Sequence, residues 1–246
     1  MTTHYEPQQY WSSRLTRDFN LRGVGHLEYN ESYNFWLYCQ KRSGLDRALA
    51  GRSAGTSALD IGSGVGWVVQ YLLGRGFRVT GCDIADVAVA RLRDEYPAAA
   101  FFPLTVGTDP IPRPDATFDV ITMMDVAYHI VDDELWRRAI GEFSRVLKPN
   151  GQIVVTDALG SQSIQEAEHV RKRSLAEWED AAEAAGLRIA QVGSLFRWLS
   201  RSSSVPGWRH VPDGPRGAAE FLLERMAPVT PHLRWAVLVQ AGPSPR

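Results

Sequence analysis

The chain has 246 residues, 27 Lys and Arg against 28 Asp and Glu, and a formal net charge of −1. That balance gives no global field toward nucleic acid or a membrane surface, and no apolar run approaches the roughly 18 residues of a spanning helix. The two cysteines, Cys39 and Cys82, lack metal-ligand spacing and read as reduced, packed thiols. The 44% hydrophobic content is ordinary for one globular domain, and the Met1–Pro7 stretch lacks the charged-then-apolar layout of a signal peptide. A cytoplasmic protein without a metal site is expected.

Residues 1–54 precede any strand signal and concentrate aromatics, among them Tyr5, Tyr10, Trp11, Phe19, Tyr33, Trp36 and Tyr38. Such side chains supply apolar walls with a polar handle. The segment therefore reads as a helical N-terminal extension that either caps a small-molecule pocket or simply docks on the domain. From about Thr56, strands and helices alternate. Strands are expected at 57–61, 78–82, 101–104, 120–124, 153–157, 188–195 and 235–240. Leu135, Ile140, Phe143 and Leu147 recur at helical spacing over 132–147, before Lys148-Pro149-Asn150-Gly151 turns the chain. This alternation predicts an α/β fold with a doubly wound, mostly parallel sheet and helices on both faces. Ligands of such sheets sit beyond the carboxyl ends of the strands.

The most informative run is Ala58-Leu59-Asp60-Ile61-Gly62-Ser63-Gly64-Val65-Gly66-Trp67. An apolar strand ends in an acid, glycine recurs at every second residue, and an apolar helix follows. Glycines there allow positive φ and close approach of a ligand to the backbone, and the helix N-terminus points back at the turn. The dinucleotide fingerprint G-x-G-x-x-G would need glycine at position 67, where Trp67 stands. The pattern D-x-G-x-G-x-G fits at every position, and the anion of Asp60 suits a cationic ligand better than a pyrophosphate. A second acid, Asp83, closes the next strand about twenty residues on, where it can accept ribose hydroxyls.

This pattern resembles motif I of the class I S-adenosylmethionine-dependent methyltransferases. The resemblance extends through Phe118–Asp125, Phe143–Gln152 and Glu177–Leu187, in the family's order, covering about Thr56 to Leu195. It implies a Rossmann-like seven-stranded sheet whose last strand, near Trp235–Gln240, is inserted antiparallel. It divides the chain into a helical cap (1–54), a cofactor-binding core (55–195), an insertion or lid (196–233) and a last strand with its tail (234–246). It also implies S-adenosylmethionine as cofactor and a small-molecule acceptor methylated at oxygen or nitrogen. Asp60, Gly62, Ser63, Gly64 and Gly66 would form the glycine turn's binding surface. Asp83 would hold the ribose, Ile84 would pack on the adenine, and Val106 and Met124 would complete the pocket. Where the family often has an acid for the adenine amino group, this chain has Thr105, with Asp109 as an out-of-register substitute. Tyr10-Trp11-Ser12-Ser13-Arg14 is similar to an N-terminal element of several small-molecule methyltransferases, and Arg14 would pair with the methionine carboxylate.

The proton of a neutral acceptor needs a base, and His129, after the fourth strand, is the candidate; Asp125 and Tyr128 are weaker ones. An unperturbed pKa near 6.5 would suit that task. The basic run His169–Arg173 reads as a substrate mouth for an anionic or sugar-like acceptor, a nucleic-acid contact, or a solvated helix face. The stretch 196–233, with Arg197, Trp198, Arg201, a serine run, Trp208, Arg209 and His210, reads as a lid, an oligomer contact or a solvated loop. An NAD-dependent oxidoreductase and a noncatalytic cofactor-binding scaffold are the alternative functions.

Overall fold

A computed structural model describes residues 5–200, 207–226 and 229–241. Arg201 and the serines at 202–204 lie outside the described residues, as does the side chain of Arg209. Seven strands form one sheet in the order β3-β2-β1-β4-β5-β9-β8. They are β1 (Ser57–Ile61), β2 (Arg78–Asp83), β3 (Ala100–Pro103), β4 (Phe118–Met123), β5 (Leu147–Asp157), β8 (Leu187–Phe196) and β9 (Leu233–Gln240). β1 to β5 run parallel, while β9 is antiparallel to both β5 and β8, as the resemblance implied. Between β5 and β8 a two-stranded hairpin, β6 (Ile164–Ala167) and β7 (Val170–Lys172), stands apart from the sheet.

The central strands are continuous apolar runs because both faces are covered. One face carries α6 (Asp133–Val146) and α7 (Leu175–Ala184), whose Trp136, Ile140, Phe143 and Trp178 pack on Ile61, Ile121, Met123 and Ile153. The other carries α3 (Glu31–Ala48), α4 (Trp67–Gly74) and α5 (Asp86–Glu95), with Leu37, Leu45, Leu72 and Leu92 against Ala58, Val79, Val120 and Val154. Lys148–Gly151 differs from expectation. These residues are extended within β5, and the pairing jumps from Phe118–Leu147 to Val120–Gln152, so the turn chemistry is absorbed as an excursion in a strand.

The N-terminal segment forms α1 (Pro7–Arg17), α2 (Leu21–Val24) and α3. Its aromatics divide between two tasks. Tyr33 is buried under the core helices, whereas Tyr5, Trp11 and Tyr38 face the cavity described below. In the stretch before β9, α8 (Asp213–Leu223) packs along α3. Two carboxylates fix it there. Glu220 accepts from the Tyr33 hydroxyl and from Trp208 Nε1 (2.7 Å), and Glu224 takes the backbone N–H groups of Arg197, Trp198 and Leu199 at 2.7–2.9 Å. No described residue of this stretch lines the cavity, and its described part braces α3. No helix among the described residues is long and apolar enough to cross a membrane.

Candidate active site

The carboxyl ends of β1, β2 and β4 meet at a cavity of about 200 Å³, roofed by α1. Its floor is the glycine turn. Gly62 has φ +71°, and a Cβ there would lie 2.3 Å from Val126 Cγ2, so only glycine fits between the two loops. The turn is held from below: Gly62 and Ser63 N–H both donate to Cys82 O at 2.9 Å, and Gly66 N–H donates to Ser63 O at 2.7 Å. Gly62, Ser63 and Gly64 line the cavity. Gly66 does not. It caps α4 at φ +78°, and its missing Cβ makes room for Leu92 and Tyr96.

Asp83 closes β2 and faces the cavity. Its two oxygens accept Gly64 N–H (2.8 Å) and Ala85 N–H (2.9 Å), which aims the carboxylate and leaves further lone pairs for a ligand. Asp83 stands just ahead of the next helix: Ala85 is the N-cap of α5, and Asp86 is its first residue. Ile84, Thr105, Val106 and Met124 also line the cavity. Asp109 does not reach it, because its carboxylate turns back to accept Thr105 N–H at 3.1 Å. The hydroxyl of Thr105 stands alone at the position of the usual acid.

Besides Gly66, two expected binding residues are not brought to the cavity surface. Asp60 lies beneath the turn, 1% exposed, with Oδ1 accepting from Thr122 Oγ1 at 2.7 Å and no partner for Oδ2 among the described residues. Burial pushes its carboxyl up to about 7. Its effect on a ligand is therefore through the turn it supports, where Ser63 Oγ donates to Asp60 O at 3.2 Å. Arg14 is turned away altogether. Its Nε and Nη2 donate to Gly23 O (2.5 Å) and Gly25 O (2.6 Å), and Nη1 donates to Tyr10 Oη (3.0 Å). The guanidinium fork is spent tying α1 to α2, which competes directly with carboxylate binding.

The cation that does line the cavity is Lys41, on α3, ion-paired with Asp125 and 3.9 Å above the Tyr38 ring. It escaped the motif reading because it belongs to no motif. The available signal was its place on the buried stripe Asn34, Leu37, Tyr38, Lys41, Leu45 and Ala48, where a lysine needs a partner. Asp125 adopts φ +59°, uncommon for a non-glycine residue. Its N–H donates to Thr156 Oγ1 at 2.7 Å, and that hydroxyl donates back to Oδ1 at 3.1 Å. Burial alone would raise the Asp125 carboxyl, but the Lys41 ammonium outweighs it and holds the group below the usual range. An ionised, paired Asp125 is a poor base.

His129 ends a 3₁₀ turn (Ala127–His129) and lines the cavity beside Trp11, whose ring meets it edge-on with centroids 4.9 Å apart. Its Nδ1 lies 2.9 Å from His169 O. A carbonyl only accepts, so Nδ1 carries the hydrogen and Nε2 keeps its lone pair. Burial pushes the ring down to about 4, with the His169 carbonyl opposing. The imidazole is neutral at physiological pH. The basic run beyond it is no substrate mouth. Asp133 pairs with both Arg171 and the fully buried Arg173, Glu177 adds a second carboxylate for Arg171 (3.6 Å), and Lys172 pairs with Glu166.

The chain matches the family described as "Methyltransferase domain" over residues 59–155, the span from β1 to the end of β5. It is 27% identical over 169 residues to a probable S-adenosylmethionine-dependent methyltransferase of Mycolicibacterium smegmatis, covering 66% of this chain and 63% of that one. It is 36% identical over 110 residues to the ubiquinone biosynthesis O-methyltransferase of Paramagnetospirillum magneticum, covering 44% and 43%. The matched region therefore spans less than two thirds of either relative. A SAM-dependent methyltransferase of Leishmania major shares the fold, with a TM-score of 0.67 at 15% identity over 94% of this chain and 80% of that one. With the glycine turn, the Asp83 carboxylate and the inserted antiparallel strand all in place, residues 59–155 match the methyltransferase domain family and the chain has the fold of S-adenosylmethionine-dependent methyltransferases.

Proposed function

We propose that the protein transfers a methyl group from S-adenosylmethionine to an oxygen or nitrogen of a small-molecule acceptor held under α1. The observation that carries this reading is one continuous cavity. It joins the glycine turn and Asp83 to an apolar chamber walled by Trp11, Leu15 and Val24 and bordered by His129. The residues present fit the cofactor. Asp83 offers aimed lone pairs for ribose hydroxyls, Ile84 and Val106 offer apolar surface for the adenine, and Gly62 and Gly64 let the methionine end approach the backbone. The Asp83 carboxylate lends the floor a negative charge that favours a sulfonium. The Lys41–Asp125 pair sets opposite charges beside the turn, where a zwitterion can meet both.

Bound S-adenosylmethionine supplies a methyl group already activated on sulfur. What remains for the protein is placement and a proton. Holding the acceptor at near-attack distance can lower the barrier by roughly 7–11 kcal/mol. His129, with Nδ1–H fixed on His169 O, presents Nε2 as a hydrogen-bond acceptor that orients the acceptor's O–H or N–H and takes up its proton as the bond to methyl forms. With its pKa pushed down to about 4, His129 is neutral at neutral pH but a weak base, so it takes up the proton only as methylation makes the acceptor's O–H or N–H strongly acidic. The similarity to an enzyme named for O-methylation supports oxygen as the target atom. Aromatic and apolar walls suit an acceptor with a flat or apolar body.

The test is a screen of small hydroxylated and aminated acceptors read by S-adenosylhomocysteine release. A hit should lose about 10²-fold or more in kcat in the His129→Gln variant, with cofactor affinity little changed. Its pH profile should be flat through 6.5 with respect to this group, falling only as the pH approaches about 4. Release from no acceptor by a protein that binds the cofactor would favour the noncatalytic scaffold.

A further inference from the structure

We infer that Arg173 is a positioning residue for His129: its guanidinium grips the carbonyls at both ends of the turn that carries the imidazole. The inference rests on the proposed role of His129. Arg173 is 0% exposed. Its Nη1 donates to Ala127 O at 3.3 Å and its Nη2 to Ile130 O at 2.8 Å, so His129 sits between the two gripped residues. Asp133 accepts from Nε (3.2 Å) and Nη2 (2.9 Å), and the Trp136 ring lies 4.3 Å from the guanidinium carbon. The main chain of Arg173 is equally fixed. Its N–H donates to Asp157 Oδ1 (3.1 Å) at the end of β5, and Asp157 Oδ2 accepts from Trp178 Nε1 (2.9 Å).

Burying a guanidinium is unfavourable as packing alone, and an apolar side chain of similar volume is often as stable or more so. An apolar side chain could not hold two carbonyls in a fixed direction. The 3₁₀ turn supplies only two short-range bonds of its own, His129 N–H to Val126 O (2.9 Å) and Ile130 N–H to Ala127 O (3.2 Å), and Ile130 O lies outside both. The planar fork of arginine reaches both ends of the turn at once, where a lysine ammonium is a single point. The other grip on His129 comes from the same hairpin: His169, in the turn before β7, accepts Nδ1–H. The β6–β7 hairpin and the residue that follows it thus fix the ring at its nitrogen and at its backbone, and with them the direction of Nε2. The charged and titratable groups around the ring are His169, Asp125, Arg14 and Tyr128, whose ring centroid lies 4.7 Å away.

The experiment is ¹⁵N NMR of the histidine side chains in the full chain with bound S-adenosylhomocysteine. In the native protein His129 should show a single Nδ1–H tautomer and stay neutral down to about pH 5. Arg173→Lys keeps the charge and loses the fork. The folded variant should bind S-adenosylhomocysteine within about threefold of the native protein, show mixed tautomers at His129 and titrate at least one unit higher. With an acceptor from the screen, its kcat should fall at least tenfold while the KM for S-adenosylmethionine holds. A folded Arg173→Lys protein with the native tautomer and titration overturns the inference. If that variant does not fold, Asp133→Asn decides: it frees one side of the fork, and an unmoved His129 signal there overturns the inference too. Full turnover by His129→Gln would instead remove the proposed role of His129, an outcome that turnover reads separately from the ring's tautomer.

Discussion

Asp60 and Asp83 end neighbouring strands and look alike as sequence, yet the fold gives them different work. Asp83 has both oxygens aimed by backbone N–H groups and faces the cavity; Asp60 lies under the turn with one oxygen unpartnered. Asp83→Ala removes the ribose acceptor and strands two buried N–H groups. S-adenosylhomocysteine binding, read by calorimetry, should weaken by about 10–100-fold. Asp60 makes a prediction about pH. Its folded pKa of about 7 exceeds the ordinary carboxylate value, so the folded state holds a proton that the unfolded chain has already lost. The sign is that stability is full below about pH 4 and is lost as pH rises toward 7, by up to about 4 kcal/mol from this group. Asp157, pushed up to about 6 by burial, acts in the same direction. Asp60→Asn should therefore melt higher than the native ligand-free protein at pH 8, with the advantage shrinking at pH 5. An equal difference at both pH values would mean that Asp60 is ionised in the fold.

Among the elements, α1 is the least firmly held part of the site. Its buried residue Leu15 packs on Ala85 and Ala88 in a small cluster separate from the two main cores. The rest of its hold is polar and local: Arg14 to the α2 carbonyls, Tyr5 N–H to Glu168 at 3.1 Å, and aromatic contact of Tyr10 and Trp11 with His169 and His129. Segments with few buried apolar contacts open locally, well below the global stability. Amide exchange over 7–17 should be fast in the free protein and slow sharply with bound S-adenosylhomocysteine. Leu15→Ala, which removes a side chain whose burial elsewhere is worth about 2–5 kcal/mol, should accelerate that exchange and weaken ligand binding. The melting temperature should stay nearly native, because the main cores are untouched. A large loss of global stability would instead make α1 part of the cooperative core.

For the molecule as a whole, the parallel strands and the glycine turn were legible because each has a local signature, an apolar run, a positive-φ glycine, an acid at a strand end, whereas the antiparallel direction of the last strand came from the family resemblance alone. What was not legible depends on pairing across the fold. Lys41 reads as an ordinary helix lysine until α3 lays it against Asp125. Arg14 reads as a carboxylate clamp until α2 presents carbonyls to it. The run His169–Arg173 reads as a basic patch until Asp133 and Glu166 arrive from elsewhere. The depressed basicity of His129 depends likewise on burial that no local pattern records. The account's central claim is that this cavity is built for S-adenosylmethionine, and the direct measurement is thermal stability with S-adenosylmethionine, S-adenosylhomocysteine and NAD compared side by side. At a hundred times its dissociation constant, a ligand stabilises the fold by about 2.7 kcal/mol. The account predicts that shift with the first two ligands, its loss in Asp83→Ala, and none with NAD. A shift with NAD alone, or an unchanged response in Asp83→Ala, would contradict it.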